Sequence, residues 1–131
     1  MNGMKKMRAK LDGLSVLIVE DEPTLRERTK LLFGKFFHDV AGAANAEEAL
    51  HCFESRTFDL VVSDLKMPGS SGVALAAILK ERFPGTLFVI LTGDPDESEC
   101  VWDAVDMLLQ KPATLTEIKN VLGRLIALKG R

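Results

Sequence analysis

The sequence has no tyrosine, one tryptophan (Trp102) and only two cysteines in 131 residues. Cys52 and Cys100 lack the paired spacing of a metal site or a disulfide framework. They read as small apolar residues in the interior of a protein kept in a reducing, cytoplasmic setting. No apolar run approaches the length needed to cross a bilayer, so no membrane contact is expected. Charge of neither sign dominates: 17 Lys and Arg stand against 19 Asp and Glu, a net charge of -2. That balance excludes the clearly basic face of a general nucleic-acid binder. The opening residues 1–10 are basic but have no apolar segment behind them, which excludes a secretory signal. Residues 1–12 are expected to be a flexible basic tail and residues 13–131 one domain.

What the chain does have is a series of short apolar runs, each cut off by polar residues. Val16, Leu17, Ile18 and Val19 form a β-branched run that ends in Glu20, Asp21 and Glu22, followed by Pro23. A run of this kind reads as a buried strand, and Pro after acids opens a helix. Leu25, Thr29, Leu32, Phe33 and Phe36 then recur at helical spacing, with Arg26, Arg28, Lys30 and Lys35 on the remaining surface. Residues 38–44 form a weaker, alanine-rich strand suited to an edge. Asn45 and Glu48 have the spacing of a capping box before a second helix.

The central run, Phe58 to Val62, leads to Asp64 and then to Met67, Pro68 and Gly69, which cannot continue a strand. A helix over residues 72–82 follows. Residues 87–91 make a fourth strand ending in Thr92 and Gly93, and an acidic stretch, 94–106, is expected to hold a short helix. Residues 107–110 make a fifth strand closed by Lys111 and Pro112. Thr114 and Glu117 form a capping box for a last helix lined by Leu115, Ile118, Leu122, Leu125 and Ile126.

Five alternations of strand and helix specify an α/β fold, a doubly wound five-stranded parallel sheet with helices on both faces. Strand ends then share one edge, where open α/β sheets bind ligands. Glu20 and Asp21, Asp64, Thr92 and Lys111 all fall on that edge. Crowded carboxylates must be neutralised or their pKa values must rise. A hard cation with oxygen ligands solves this, and Mg2+ takes one or two carboxylates together with phosphate oxygens. Asp64 is then placed as a nucleophile toward a phosphoryl group, with the Thr92 hydroxyl and Lys111 ammonium as donors to the moving oxygens. A flavin or nucleotide binder would want a Gly/Ser/Thr-rich loop after the first strand, where this chain has three acids. A phosphohydrolase of the haloacid dehalogenase type would want a second Asp two residues after the first, where this chain has Lys66.

With strand-acid-acid, strand-Asp, strand-Thr and strand-Lys-Pro in order, the chain resembles the receiver domains of two-component response regulators over residues 14–128. The resemblance implies the flavodoxin-like strand order 2-1-3-4-5 and a signalling domain rather than an enzyme. It implies Asp64 as phospho-acceptor, and Glu20, Asp21, Asp64 and the Lys66 carbonyl as Mg2+ ligands. Thr92 and Lys111 would contact the phosphoryl group, and the Lys111–Pro112 peptide would be cis. The implied donor is a histidine kinase or phosphotransfer protein docking on the first helix after strand one. The implied output is a downstream protein partner on the face made by the fourth helix, the fifth strand and the last helix, with Trp102 as a contact residue. That face lacks Lys and Arg from Phe83 to Gln110, so direct DNA binding there is not expected. Three features depart from the family: Leu108 stands where an aromatic switch residue is usual, Gly93 follows Thr92 where Ala is more common, and the segment from Thr92 to Lys111 is shorter by about one helical turn. A non-switching relay or phosphate sink is therefore the rival expectation, beside a fragment of a larger regulator or hybrid kinase.

Overall fold

The computed structural model describes residues 3–93 and 103–129. In chain order the elements are α1 (Gly3–Lys10), β1 (Ser15–Val19), α2 (Pro23–Phe33), β2 (Asp39–Ala43), α3 (Ala46–Ser55), β3 (Leu60–Asp64), β4 (Lys66–Met67), β5 (Ser70–Ser71), α4 (Gly72–Arg82), β6 (Leu87–Thr92), β7 (Met107–Gln110) and α5 (Leu115–Lys129). The sheet is parallel with the order β2-β1-β3-β6-β7, which is the expected 2-1-3-4-5 order of its five strands. β1, β3 and β6 lie inside it and are apolar along almost their whole length, as strands covered on both faces must be. The alanine-rich β2 is at one edge, also as expected.

Alternate strand residues feed two separate cores. On one face Val16, Ile18, Val62, Val89 and Leu91 pack against Phe33 and Phe36 and against Ile118, Leu122 and Leu125 of α5. On the other, Leu17, Val19, Val61, Phe88 and Ile90 meet Ala49 and Phe53 of α3 and Leu75 and Leu79 of α4. Helix starts are built locally. Glu22 accepts from the Thr24 and Leu25 amides ahead of Pro23. Asn45 accepts from the Glu48 amide, and Thr114 and Glu117 cap α5 reciprocally. Among the described residues, no helix is long and apolar enough to cross a membrane.

The structure corrects two expectations. Residues 3–10 are a helix, not a tail: Leu11 behind it is fully buried, and Met4 and Met7 pack on the core face that α5 covers. Three apolar side chains among four cationic ones suffice to dock one helix face while the charged groups stay in water. Residues 66–71, expected as a loop, are a two-residue hairpin, β4 with β5, whose turn Pro68–Gly69 places glycine at φ 75°. Of the stretch 94–106 expected to hold a short helix, residues 94–102, with the contact residue Trp102, lie outside the described residues.

Because Leu11 belongs to the core, Leu11→Ala should cost about 2–5 kcal/mol. Urea unfolding would register this as a lower midpoint with an unchanged slope. A change within about 0.5 kcal/mol, as at an exposed position, would return this segment to the status of a tail.

Candidate functional site

Each acid of the site continues an interior strand past its last apolar residue. β1 ends at Val19, and the next amide, that of Glu20, still donates to the Ala43 carbonyl of β2 at 3.0 Å. β3 carries Asp64 as its own last residue, paired with Leu91 of β6. Since β1 and β3 are neighbours, Glu20 and Asp64 emerge side by side. One carboxylate oxygen from each of Glu20, Asp21 and Asp64 lies within 4.8 Å of the other two. Glu20 is buried, Asp64 half-buried and Asp21 exposed.

Lys111 reaches this cluster from two strands away. It follows β7, where Gln110 pairs with Thr92, and its amide donates to the Thr92 carbonyl at 2.7 Å. Its Nζ donates to Asp64 Oδ1 at 2.9 Å and to Glu20 Oε1 at 3.0 Å. Burial works to lower the Lys111 pKa, but the hydrogen bonds to Asp64 and Glu20 outweigh it and the pKa is raised. Glu20 moves the other way from a usual salt-bridged acid. Burial, with Asp21 and Asp64 close by, raises its pKa despite the bond from Lys111. The cluster thus holds three acidic groups against one ammonium. Its donors are hard oxygens and, with all three acids ionised, it is two positive charges short, the composition that suits a small divalent ion.

The remaining expected residues are also at this edge. Thr92 is buried at the end of β6, and the Lys111–Pro112 peptide is cis. Lys66 lies in β4, two residues beyond Asp64. Arg26 departs from expectation. Its helical position is that of the outward basic residues of α2, but its guanidinium turns inward and donates to the Glu20 carbonyl at 2.9 Å. This bond ties the α2 start to the first acid, leaving Arg28 and Lys35 as exposed cations of that helix and its end.

These features coincide with known proteins. A family model described as the response regulator receiver domain matches residues 16–123. The chain is 32% identical over 111 residues to the autoinducer 1 sensor kinase/phosphatase LuxN of Vibrio campbellii, covering 83% of this chain and 13% of LuxN. It is 28% identical over 116 residues to the response regulator protein PilR of Pseudomonas aeruginosa, covering 86% of this chain and 26% of PilR. The chain thus spans a small part of either relative's length. Among solved structures, the response regulator TrrA of Thermotoga maritima, in complex with Mg2+ and BeF, superposes with a TM-score of 0.77 at 31% identity, covering 86% of this chain and 98% of that one. A signal receiver domain from Pseudomonas fluorescens superposes with a TM-score of 0.79 at 26% identity, covering 88% of each chain.

One positioning residue escapes sequence reasoning. Gly72, the first residue of α4, donates its amide to the Leu65 carbonyl at 2.7 Å and lies against the backbone of Asp64. A Cβ there would stand 2.5 Å from the Asp64 carbonyl oxygen and 3.3 Å from Ser63 Oγ. The only available signal was a glycine just after Ser71, the residue whose hydroxyl caps α4. Gly72→Ala must push α4 or the Asp64 strand end aside, at about 1–3 kcal/mol. Thermal unfolding should show the loss, and the Asp64 and Leu65 amide resonances should move. An unchanged melting temperature would mean that the helix start yields freely.

Proposed function

The chain belongs to the response regulator receiver domain family, and from that premise we propose that Asp64 accepts a phosphoryl group from a phosphohistidine donor. The observation that supports this reading is the convergence of Glu20, Asp21 and Asp64 with the Lys111 ammonium at one end of the sheet. An Asp64 carboxylate oxygen attacks phosphorus as the donor's P–N bond breaks, leaving an acyl phosphate. Glu20, Asp21, Asp64 and the Lys66 carbonyl are the residues that would hold Mg2+. When bound, Mg2+ supplies the charge that offsets the three acids and draws the phosphoryl oxygens in. Lys111 exchanges its bond to Asp64 Oδ1 for one to a phosphoryl oxygen, and the Thr92 hydroxyl donates to another. The domain is modified and signals; it does not turn over a substrate of its own.

The donor is a histidine kinase or a phosphotransfer protein, and the setting is cytoplasmic. The exposed cations Arg28 and Lys35 give the docking face of α2 a basic character, which suits an acidic donor surface. The output surface is a protein-binding face that includes β7 and α5, not a DNA-binding one. Leu108 is half-buried against the core face that α3 and α4 cover and has no ring to rotate, which favours a smaller conformational response than an aromatic switch gives. The domain works either as a unit by itself or as the receiver part of a longer regulator or hybrid kinase.

Incubation with acetyl phosphate and Mg2+ should add one hydroxylamine-labile phosphate, visible by intact-protein mass spectrometry. It should be absent in Asp64→Asn and absent when a chelator removes the metal. Equal labelling of the Asn variant would overturn the assignment.

Docking is tested separately. Reversing charge at Arg28 and Lys35 to Glu should slow transfer from the donor protein, most at low salt. Labelling by acetyl phosphate should fall much less. Equal losses in both reactions would place the defect in the site or the fold.

A further inference from the structure

Positive charge is gathered at the end of the molecule opposite the acid cluster. Residues 1–38 hold eight Lys and Arg against five Asp and Glu, whereas residues 39–131 hold nine against fourteen. Three of those five acids, Glu20, Asp21 and Glu22, stand before α2, at the carboxyl edge of the sheet. α2 then runs back toward the amino edge, where His38 precedes β2, and its two ends are about 15 Å apart. There α1, the end of α2 and the start of β2 enclose two adjoining hollows of about 460 and 340 Å3, with Arg8 and His38 in the wall of both. Arg8 joins α1 to that corner by donating to His38 Nδ1 at 3.2 Å. Lys5, Lys30 and Lys35 add three ammonium groups to the lining, opposed only by Asp12 and Glu27. Glu27 is itself 3.7 Å from Lys30. Leu31 stands among these cations, 73% exposed and the most exposed large apolar side chain among the described residues.

A cationic groove with one apolar side chain held outward is complemented by carboxylates and one apolar counterpart. We infer that this groove docks an acidic segment of a partner protein, whose carboxylates pair with Arg8 and Lys35 while one of its large apolar side chains covers Leu31. A nucleic acid matches the lining less well, because stacking needs open rings and Phe37, the only phenyl ring there, is buried. A membrane surface does too. Met4 and Met7 of α1 pack on the core, so apolar insertion would rest on Leu31 alone. A phosphohistidine donor has to reach the opposite end of the sheet, so the groove and the acceptor can be occupied together.

The test titrates the intact, isotope-labelled chain with an acetylated peptide of Glu residues around one central Leu. The amide resonances of Arg8, Leu31, Gly34 and His38 should shift to saturation, and the affinity should fall as salt is raised. Arg8→Glu should weaken binding about 10-fold or more, since it sets like charges against each other. Leu31→Ala should weaken it about 5-fold, the scale of a partly buried leucine. Replacing the peptide's Leu by Ala should cost the same in the unsubstituted protein and nothing further in Leu31→Ala. Both substitutions are at exposed positions, and resonances elsewhere should stay in place. Absent shifts, equal binding of a peptide with Lys in place of Glu, or affinity unchanged by both substitutions would overturn the proposal. So would phosphatidylserine vesicles or single-stranded DNA moving these amides where the acidic peptide does not. Transfer from the phosphohistidine donor and labelling by acetyl phosphate should keep their rates in Arg8→Glu. A slower transfer with normal acetyl phosphate labelling would assign the groove to the donor itself and overturn a separate partner.

Discussion

Three carboxyl groups within a few ångströms are the constraint on which this domain turns. At the effective dielectric of a protein surface, two like charges about 4 Å apart repel by about 4 kcal/mol. The fold brings Glu20, Asp21 and Asp64 that close regardless and answers with a single ammonium, that of Lys111, bonded to two of them. Burial first, and then the neighbouring Asp21 and Asp64, raise the Glu20 pKa despite that ammonium. Counting all three acids as ionised, the cluster keeps two negative charges, and a divalent cation is the species that cancels them. The chemistry proposed for Asp64 follows from this imbalance more than from any one residue.

The rest of the structure holds that imbalance in place. β3 lies between β1 and β6, so Asp64 has Glu20 on one side and the Thr92 strand on the other. Lys111 belongs to the next strand out and spans the end of β6 to reach the acids. Behind the site the strands are buried on both faces, which gives the carboxylates a rigid base. Arg26 fixes the Glu20 carbonyl from α2, and Gly72 lets α4 begin against the Asp64 backbone. A side chain at either strand end therefore cannot retreat from its neighbours without moving an element of the core.

Much of this was legible in the sequence because buried parallel strands leave a plain mark. Unbroken runs such as Val16 to Val19 and Leu87 to Leu91 located the strands, and the polar residues that ended them located the site. The expected sheet order and the cis Lys111–Pro112 peptide are both present. What stayed hidden depends on contacts that pattern does not encode. Met4, Met7 and Leu11 sit in a lysine-rich opening that has the composition of a tail, and only α5 and the neighbouring core make it a helix. Arg26 has the helical position of a solvated residue, yet the nearby strand end offers it a carbonyl. Gly72 reads as loop punctuation, and its need for a missing Cβ appears only when α4 is set against Asp64.

The claim that Asp64 is where this charge imbalance is used is tested most directly by trapping the acyl phosphate chemically. After phosphorylation in the presence of Mg2+, reduction with tritiated borohydride converts a phosphorylated aspartate to homoserine, and peptide mapping then locates the tritium. Tritium should appear at residue 64 alone, with Glu20 and Asp21 recovered unchanged. Label at Asp21 or Glu20, or phosphorylated protein that yields no homoserine, would contradict it.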